Sequence, residues 1–414
     1  MKRLCVKLIV LITIVLVFQS TRCFGYSVLT HEAIIDANWN IVLVPLIKQK
    51  FPAATNEELK TAHAFAYGGC VMPDLGYYPF GSRLFTNLIH YVRGGDFIEN
   101  LFYESSNIYE YAFALGALCH YYADKYGHSV GVNRSVPLIY PEMQAKFGNT
   151  VTYADDKISH LRTEFSFDVL QSARGNYAPQ AYHDFIGFQV SKELIEKAFL
   201  KTYGLDVNEL FGNFDRAIGS FRWSVKGLIP SATRAAWKTK KKEIRETNPS
   251  AARHSYVYNI RRQKYFKEFG KDRKKATFGE SILAFVIRIA PKWGPLKILK
   301  FRIPNREAEK IFLESFDETV LNYRHEVAAM PRNHVELSNI DWDTGKKTML
   351  GEYSLADKTY SDWVIKLKEK NFATISSSMK RSILAFYTNY PDSSIDDDQW
   401  QQTCAALEEL KNAK

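Results

Sequence analysis

The chain has 414 residues and a formal net charge of +10, and 46% of its residues are hydrophobic, including 24 tyrosines and 27 phenylalanines. A chain of this length and apolar content can bury a large core in one or two domains, which argues against extensive disorder. Two of its five cysteines lie within the first 25 residues. The three that remain are too few for a disulfide framework.

The first 25 residues are typical of a cleavable secretory signal. Three basic residues among the first seven precede the apolar run 8–18, which is too short to span a membrane comfortably, and a short polar tail follows. Cleavage after Gly25 would make Tyr26 the N-terminus and lower the net charge to +6, because the segment has four basic residues and no acid. That balance is mildly basic and not typical of a dedicated nucleic-acid-binding protein. We expect a secreted or periplasmic protein, with an uncleaved anchor as the alternative.

Helical periodicity dominates the rest of the chain, and alternating β patterns are hard to find, so we predict an all-α fold. Thr30 is expected to cap the first helix, which Pro45 would kink, and the glycine- and proline-rich stretch 67–83 is expected to be an ordered loop or turn. The predicted helices of the N-terminal part span residues 32–51, 107–126, 155–172, 191–203 and 207–226.

The composition changes near Trp237. Residues 238–275 are rich in lysine and arginine with interleaved tyrosines, which indicates a basic connector. Beyond it, a helix is predicted over 305–327, turn-forming residues follow over 339–353, and a further helix begins near Ala356. The predicted organisation is a signal peptide at 1–25, a catalytic domain at 26–237, the connector at 238–275 and a largely helical C-terminal region of unknown role at 276–414.

Two groups of polar residues have spacings that suit metal binding. His120, Asp124 and His128 are four residues apart, so they project along one stripe of a predicted apolar helix, and His160 and Glu164 repeat this spacing on another. Imidazole and carboxylate are the ligands zinc takes where thiolate is absent, and metal binding compensates for the burial of such groups. Taken singly, either group has an ordinary interpretation as hydrogen-bonded core residues or a surface pair.

The order of these residues resembles the zinc-dependent phospholipase C family, which shares its fold with fungal single-strand-specific nucleases. His31 follows shortly after the expected N-terminus, Asp74 lies in the glycine-containing segment 68–74, and His90 comes next, before the two helical groups. The resemblance covers roughly residues 26–172 and implies a multi-helix phospholipase C/nuclease-like domain.

The resemblance also implies three zinc ions bound by imidazoles, carboxylates and the chain terminus. The first would take Asp74, His90, His120 and Asp124, the second His128, His160 and Glu164, and the third His31, a bridging Asp124 and the amino nitrogen and carbonyl oxygen of Tyr26. The family usually has tryptophan where this chain has Tyr26, which matters little if backbone atoms are the ligands. Cleavage at another position would leave two zinc ions.

By the same resemblance, a zinc pair bridged by Asp124 would lower the pKa of a water molecule toward neutrality, and Asp74 would orient or deprotonate that water. The third zinc ion and a neighbouring cation would neutralise the phosphoryl oxygens and the leaving alkoxide. The implied reaction is in-line hydrolysis of a phosphodiester, with no nucleotide or redox cofactor.

Three functions remain open on this sequence. A phospholipase C would act on lipid head groups, with the aromatic segment 77–80 making transient contact with a membrane surface, although packing of a tight turn explains that segment equally well. A nuclease or nucleotidase would bind single-stranded nucleic acid through residues 238–275, for which a solvated linker is the simpler interpretation. A non-catalytic, zinc-stabilised protein is the third. His63 is expected to be a core histidine or a support for the site, and the oligomeric state stays open.

Overall fold

The computed structural model describes residues 27–174, 176–177, 186–247, 298–331, 335–388 and 398–412. These residues contain no β-strand; their single isolated bridge pairs Asp341 with Lys346. The all-α prediction is therefore confirmed. The predicted signal segment, Tyr26 and most of the predicted basic connector lie outside the described residues.

Short connections join the helices of the N-terminal part. They are α1 (Val28–Asn38), α2 (Val44–Lys50), α3 (Asn56–Val71), α4 (Arg83–Tyr91), α5 (Gly94–Glu104), α6 (Ile108–Tyr126), α7 (Asn133–Ile139), α8 (Pro141–Phe147) and α9 (Lys157–Arg174). Within the described part of the chain, three π-helical segments continue helices without a break: Trp39–Leu43 between α1 and α2, Gly127–Val132 between α6 and α7, and Ser224–Leu228 further along.

The remaining described helices come from the middle and the C-terminal part of the chain. They are α10 (Lys192–Tyr203), α11 (Val207–Leu210), α12 (Phe214–Trp223), α13 (Ile229–Thr247), α14 (Arg306–Ala329), α15 (Ser354–Glu369), α16 (Ser377–Phe386) and α17 (Asp398–Asn412). None of the described helices is both long enough and apolar enough to span a bilayer.

Three local predictions were wrong. The first helix begins at Val28 after Ser27, so Thr30 lies inside it instead of capping it. The stretch 67–83 is not a loop throughout, because α3 continues to Val71 and a 3₁₀ helix, Met72–Tyr77, follows directly. The predicted helix 207–226 is interrupted between α11 and α12.

Helices α3 and α6 pack closely at the centre of the core because small residues line their contact. A Cβ atom added at Gly116 would lie 2.0 Å from the carbonyl oxygen of Ala66, and one added at Gly69 would lie 2.0 Å from that of Phe113. Backbone therefore meets backbone at this crossing. The close approach matters for the site because α6 carries His120 and Asp124.

Replacement of Gly116 by alanine is expected to destabilise the protein by about 2–4 kcal/mol, because the new methyl group must push α3 away from α6. Denaturant unfolding followed by circular dichroism measures this change. Gly219→Ala in α12 is the matched control, since nothing lies within 4 Å of its Cβ position and alanine favours a helix by up to about 1 kcal/mol. Equal stability of the two variants would contradict the packing argument.

The C-terminal helices pack on the same hydrophobic core as the N-terminal ones. Helix α14 lies against α6 and α7, and the buried hydroxyl of Tyr323 donates to the carbonyl of Leu115, 2.8 Å away. Helix α15 lies against α4, and the indole nitrogen of Trp363 donates to the carbonyl of Tyr203 at 2.8 Å. The chain before α15 is thereby held close to α4, which carries His90.

Candidate metal centre

The predicted ligand side chains within the described residues all lie in the interior of the helical bundle. Each is at most 3% exposed to solvent. They are His31 on α1, Asp74 on the 3₁₀ helix, His90 on α4, His120 and Asp124 on α6, His128 on the following π-helical segment, and His160 and Glu164 on α9.

The carboxylate of Asp124 lies at the centre of this arrangement. Its Oδ2 atom is 3.0 Å from Nε2 of His120 and 3.2 Å from Nε2 of His90. Its Oδ1 atom is 3.4 Å from Nε2 of His31 and 3.5 Å from Nε2 of His128. The two oxygens therefore face different histidine pairs, as a bridging carboxylate requires.

The donor atoms form three groups, in each of which the atoms lie within 4.8 Å of one another. They are Asp74 with His90 and His120, His31 with His120 and Asp124, and His128 with His160 and Glu164. The third group matches the set implied for one zinc ion. Asp124 also lies beside the first group, as the set implied for that ion requires. The group containing His31 includes His120, which the resemblance did not imply for that ion. Tyr26, the remaining implied ligand, lies outside the described residues.

Backbone carbonyls orient two of the imidazoles. The Nδ1 atom of His90 is 2.9 Å from the carbonyl oxygen of Thr86, and that of His120 is 2.8 Å from the carbonyl oxygen of Cys70. A carbonyl oxygen only accepts, so Nδ1 carries the proton and donates in both histidines. In the neutral form of each ring, Nε2 then presents its lone pair to the donor groups, an arrangement common in metal-binding histidines.

His160 has the opposite orientation. Its Nδ1 atom is 2.6 Å from Oε1 of Glu164, and its Nε2 atom is 2.8 Å from Oδ1 of Asn133. Donation from Nε2 to the Asn133 oxygen leaves the Nδ1 lone pair beside the Glu164 carboxylate. The spacing of four residues on α9 places both groups on the same face of that helix.

Burial strongly affects the protonation of these groups in the metal-free chain. Burial, with a smaller effect of Asp124, raises the pKa of Glu164 well above its usual value, and burial lowers the pKa of His160. Burial alone would also lower the pKa of His90, but the neighbouring Asp124 and Asp74 carboxylates raise it to about 10. Without a bound cation, the protein environment therefore disfavours the charged forms of Glu164 and His160 but favours the charged form of His90.

The residues fit a divalent cation. The carboxylate oxygens of Asp74, Asp124 and Glu164 are buried but make no hydrogen bond of acceptable geometry. An isolated buried carboxylate is very unfavourable, and a bound cation is one of the few groups that compensates for it. Nitrogen and oxygen donors without thiolate match the ligands of catalytic zinc sites.

A C-terminal turn borders the site, and sequence reasoning did not find it. The ring of Trp342 lies 5.0 Å from that of His90 and 5.5 Å from that of His120, and its backbone N–H donates to the His90 carbonyl at 3.1 Å. The Oδ1 atom of Asp343 lies 3.6 Å from Nδ1 of His128. The sequence signalled only a turn here.

Asp168 and His63 belong to none of the three groups. Asp168 continues the α9 stripe and accepts hydrogen bonds from the backbone N–H of Leu29 and the hydroxyl of Thr30, at 3.1 and 2.8 Å. It thereby holds the first turn of α1, which carries His31. His63 is a core histidine whose ring stacks on Trp39, with a centroid distance of 3.8 Å.

Residues 30–213 match the family model described as zinc dependent phospholipase C. No curated protein and no solved structure matches the chain. All eight side chains of the three donor groups lie within the matched residues, whereas the turn containing Asp343 lies outside them. The match, the all-helical fold and the buried donor groups agree with one another. Residues 30–213 are thus similar to the zinc-dependent phospholipase C family.

Proposed function

We propose that the protein is a secreted zinc-dependent hydrolase that cleaves the head-group phosphodiester of phospholipids. The observation that carries this proposal is the set of three buried donor groups connected through Asp124 and His120, all within the residues that match the family. A single structural zinc site would need one closed group of four ligands, usually with thiolates. Linked groups are instead typical of hydrolytic centres with several metal ions.

The side chains of the donor groups would hold three zinc ions. The proposed ligands are Asp74, His90, His120 and Asp124 for one ion, His128, His160 and Glu164 for another, and His31, Asp124 and the Tyr26 backbone for the third, the last only after cleavage behind Gly25. When bound, zinc supplies positive charge for the phosphoryl oxygens and the leaving alkoxide, and it acidifies water.

Asp74 is the side chain proposed to orient and deprotonate the attacking water. Neither of its carboxylate oxygens makes a hydrogen bond, and Oδ1 is 3.4 Å from Nε2 of His90. The 3₁₀ helix that carries it is tied to α4, because the backbone N–H of Gly76 donates to the hydroxyl of Thr86 at 2.8 Å. The water oxygen would form a new bond to phosphorus while the bond to the diacylglycerol oxygen breaks, and Asp74 would receive a proton from the water.

An exposed aromatic and basic surface that includes Phe80, shortly after Asp74 in the sequence, favours a lipid substrate. Within the predicted aromatic segment, Tyr77 and Tyr78 are buried, but Phe80 is 44% exposed and has a φ of +65°. The guanidinium of Arg216 lies 3.7 Å from the centre of the Phe80 ring, and Trp223, further along α12, is 45% exposed. We call Phe80, Arg216 and Trp223 the α12 patch. Aromatic side chains and nearby cations suit the interface of a bilayer.

The variant Phe80→Ala with Trp223→Ala is expected to reduce turnover of phospholipid vesicles about tenfold, because two exposed aromatic contacts with the bilayer are lost. Turnover of a short-chain, water-soluble phospholipid below its micellar concentration should stay unchanged. Tyr103→Ala on α5, which removes a 77% exposed aromatic outside the patch, is the control. Parallel loss on both substrates would show that the patch supports the site itself and not membrane contact.

The function is tested on purified, processed protein with phosphatidylcholine vesicles, phosphatidylinositol vesicles and single-stranded DNA, each with and without a chelator. Chelator-sensitive release of phosphocholine or inositol phosphate is expected. Release of nucleotides instead would favour the nuclease alternative, in which the basic residues 238–275 would bind the nucleic acid. A protein that binds about three zinc ions but turns over no phosphodiester would be non-catalytic, and the proposal would be wrong.

A further inference from the structure

The side chain of Asp343 contacts the donor group of His128, His160 and Glu164 from outside the region that matches the family. Its Oδ1 atom faces Nδ1 of His128 at 3.6 Å, on the side of the imidazole opposite to the nitrogen that faces Asp124. Asp343 itself is 3% exposed. Among the ion pairs of the described residues, Asp343 takes part only in this one.

Four neighbours hold Asp343 in place. Its Oδ2 atom accepts hydrogen bonds from the hydroxyls of Tyr91 and Tyr353, at 2.8 and 2.6 Å. Its backbone N–H donates to Oδ1 of Asp341 at 2.8 Å, and its carbonyl accepts from the side-chain amide of Asn133 at 2.8 Å. A buried carboxylate with this many partners is fixed in position, and only Oδ1 remains directed at His128.

The same turn also supports the second imidazole of the group. Asn133 donates to the Asp343 carbonyl through Nδ2 and accepts from Nε2 of His160 through Oδ1, both at 2.8 Å. One short network therefore sets the orientation of both histidines. Asp343, the residue that this network takes from the C-terminal part of the described chain, lies in the turn closed by the Asp341–Lys346 bridge.

We propose that Asp343 is a positioning residue that accepts the Nδ1–H of His128 and so directs the Nε2 lone pair of that histidine toward a metal ion. The inference rests on the proposed function, because it assumes that His128 binds zinc. Asp343 is not itself a member of any donor group, and its second oxygen is held by two tyrosine hydroxyls. A movement of about half an ångström would convert the 3.6 Å contact into a hydrogen bond. Carboxylates that hold metal-binding histidines in this way raise the affinity for the metal.

Asp343→Asn tests this role by removing the charge while keeping the size of the side chain. We expect the affinity for one zinc ion to fall about 10- to 100-fold, measured by competition with a chromophoric chelator, while the other ions stay bound. Titration of the zinc-free protein with Co²⁺ gives a second readout, in which the visible absorption of one ion should be altered or delayed. Tyr353→Phe, which removes one hydrogen bond to Asp343, should give a smaller loss of affinity.

Asp357→Asn is the matched control. Asp357 lies on α15, accepts a hydrogen bond from the backbone N–H of Gly351 at 3.0 Å and belongs to no donor group. Thermal unfolding of the zinc-free variants distinguishes general damage from a metal effect, because a positioning role predicts a smaller rise in melting temperature on addition of zinc in Asp343→Asn than in Asp357→Asn.

Zinc affinities and Co²⁺ spectra of Asp343→Asn equal to those of the unaltered protein would overturn the positioning role and leave the proposed function intact. An unaltered protein that takes up no zinc would overturn both. If the unaltered protein binds zinc and Asp343→Asn selectively loses affinity for one ion, the role of Asp343 is supported, whichever phosphodiester the protein hydrolyses.

Discussion

Asp124→Asn is expected to reduce hydrolysis at least ~10³-fold, because an interaction worth about 4 kcal/mol in the transition state would be lost with the bridging ligand. The variant should also lose more than one zinc ion per chain. Both oxygens of Asp124 face imidazoles, one toward His90 and His120 and the other toward His31 and His128. An amide has one oxygen and no charge, so it cannot serve both sides.

Elemental analysis of the purified variant, together with turnover of phospholipid vesicles, measures these two effects. Asp362→Asn is the control, since Asp362 is a partly exposed carboxylate that pairs with Lys358 on α15. Circular dichroism should show that both variants retain their helices. An Asp124→Asn protein that kept its full zinc content would refute the bridging role, even if its activity were lost.

Local sequence patterns were sufficient to predict the helix at the centre of the site. The predicted span 107–126 agrees with α6, whose first turn is capped by Asn107 through hydrogen bonds from the N–H groups of Tyr109 and Glu110. Such caps depend on adjacent residues, which is why they are visible in the sequence. The same is true of the His160 and Glu164 spacing on α9, since residues four apart share a helix face.

The position of His128 illustrates what periodicity alone could not supply. A regular helix would continue the stripe of His120 and Asp124, but α6 ends at Tyr126 and His128 lies in the π-helical segment Gly127–Val132. The wider turn alters the direction of the side chain, and Nε2 of His128 then faces the Asp124 oxygen opposite to that of His120. Segments of this kind depend on packing, here against α14 and α7, and they are frequent at functional sites.

The contribution of Asp343 to the site could not be predicted from the sequence for a different reason. Asn133 and the Asp343 carbonyl are 210 positions apart, and no local pattern connects them. The residues 339–353 indicated turns, which is correct for the Asp341–Lys346 bridge, but nothing in them indicated proximity to His128. Such contacts arise only when α14 and α15 pack on the core formed by α4 and α6.

Removal of zinc is expected to lower the melting temperature by on the order of 10 °C. Each ion bound at about 1,000 times its dissociation constant contributes about 4 kcal/mol to the stability of the folded chain. The buried carboxylates of Asp74, Asp124 and Glu164 make no hydrogen bonds that could replace this contribution. Differential scanning calorimetry of the protein before and after chelation measures the change.

The ions that restore the melting temperature distinguish a specific zinc centre from a general effect of divalent charge. Zinc should recover the melting temperature of the chelated protein, whereas Mg²⁺ should not, because Mg²⁺ prefers oxygen ligands and five of the eight side chains in the donor groups are imidazoles. Equal recovery with Mg²⁺ would mean that any divalent charge near Asp124 suffices. A melting temperature that did not change while zinc was lost would mean that the metal-free core compensates for these carboxylates, in the case of Glu164 by protonation, the direction in which burial shifts the pKa of that residue.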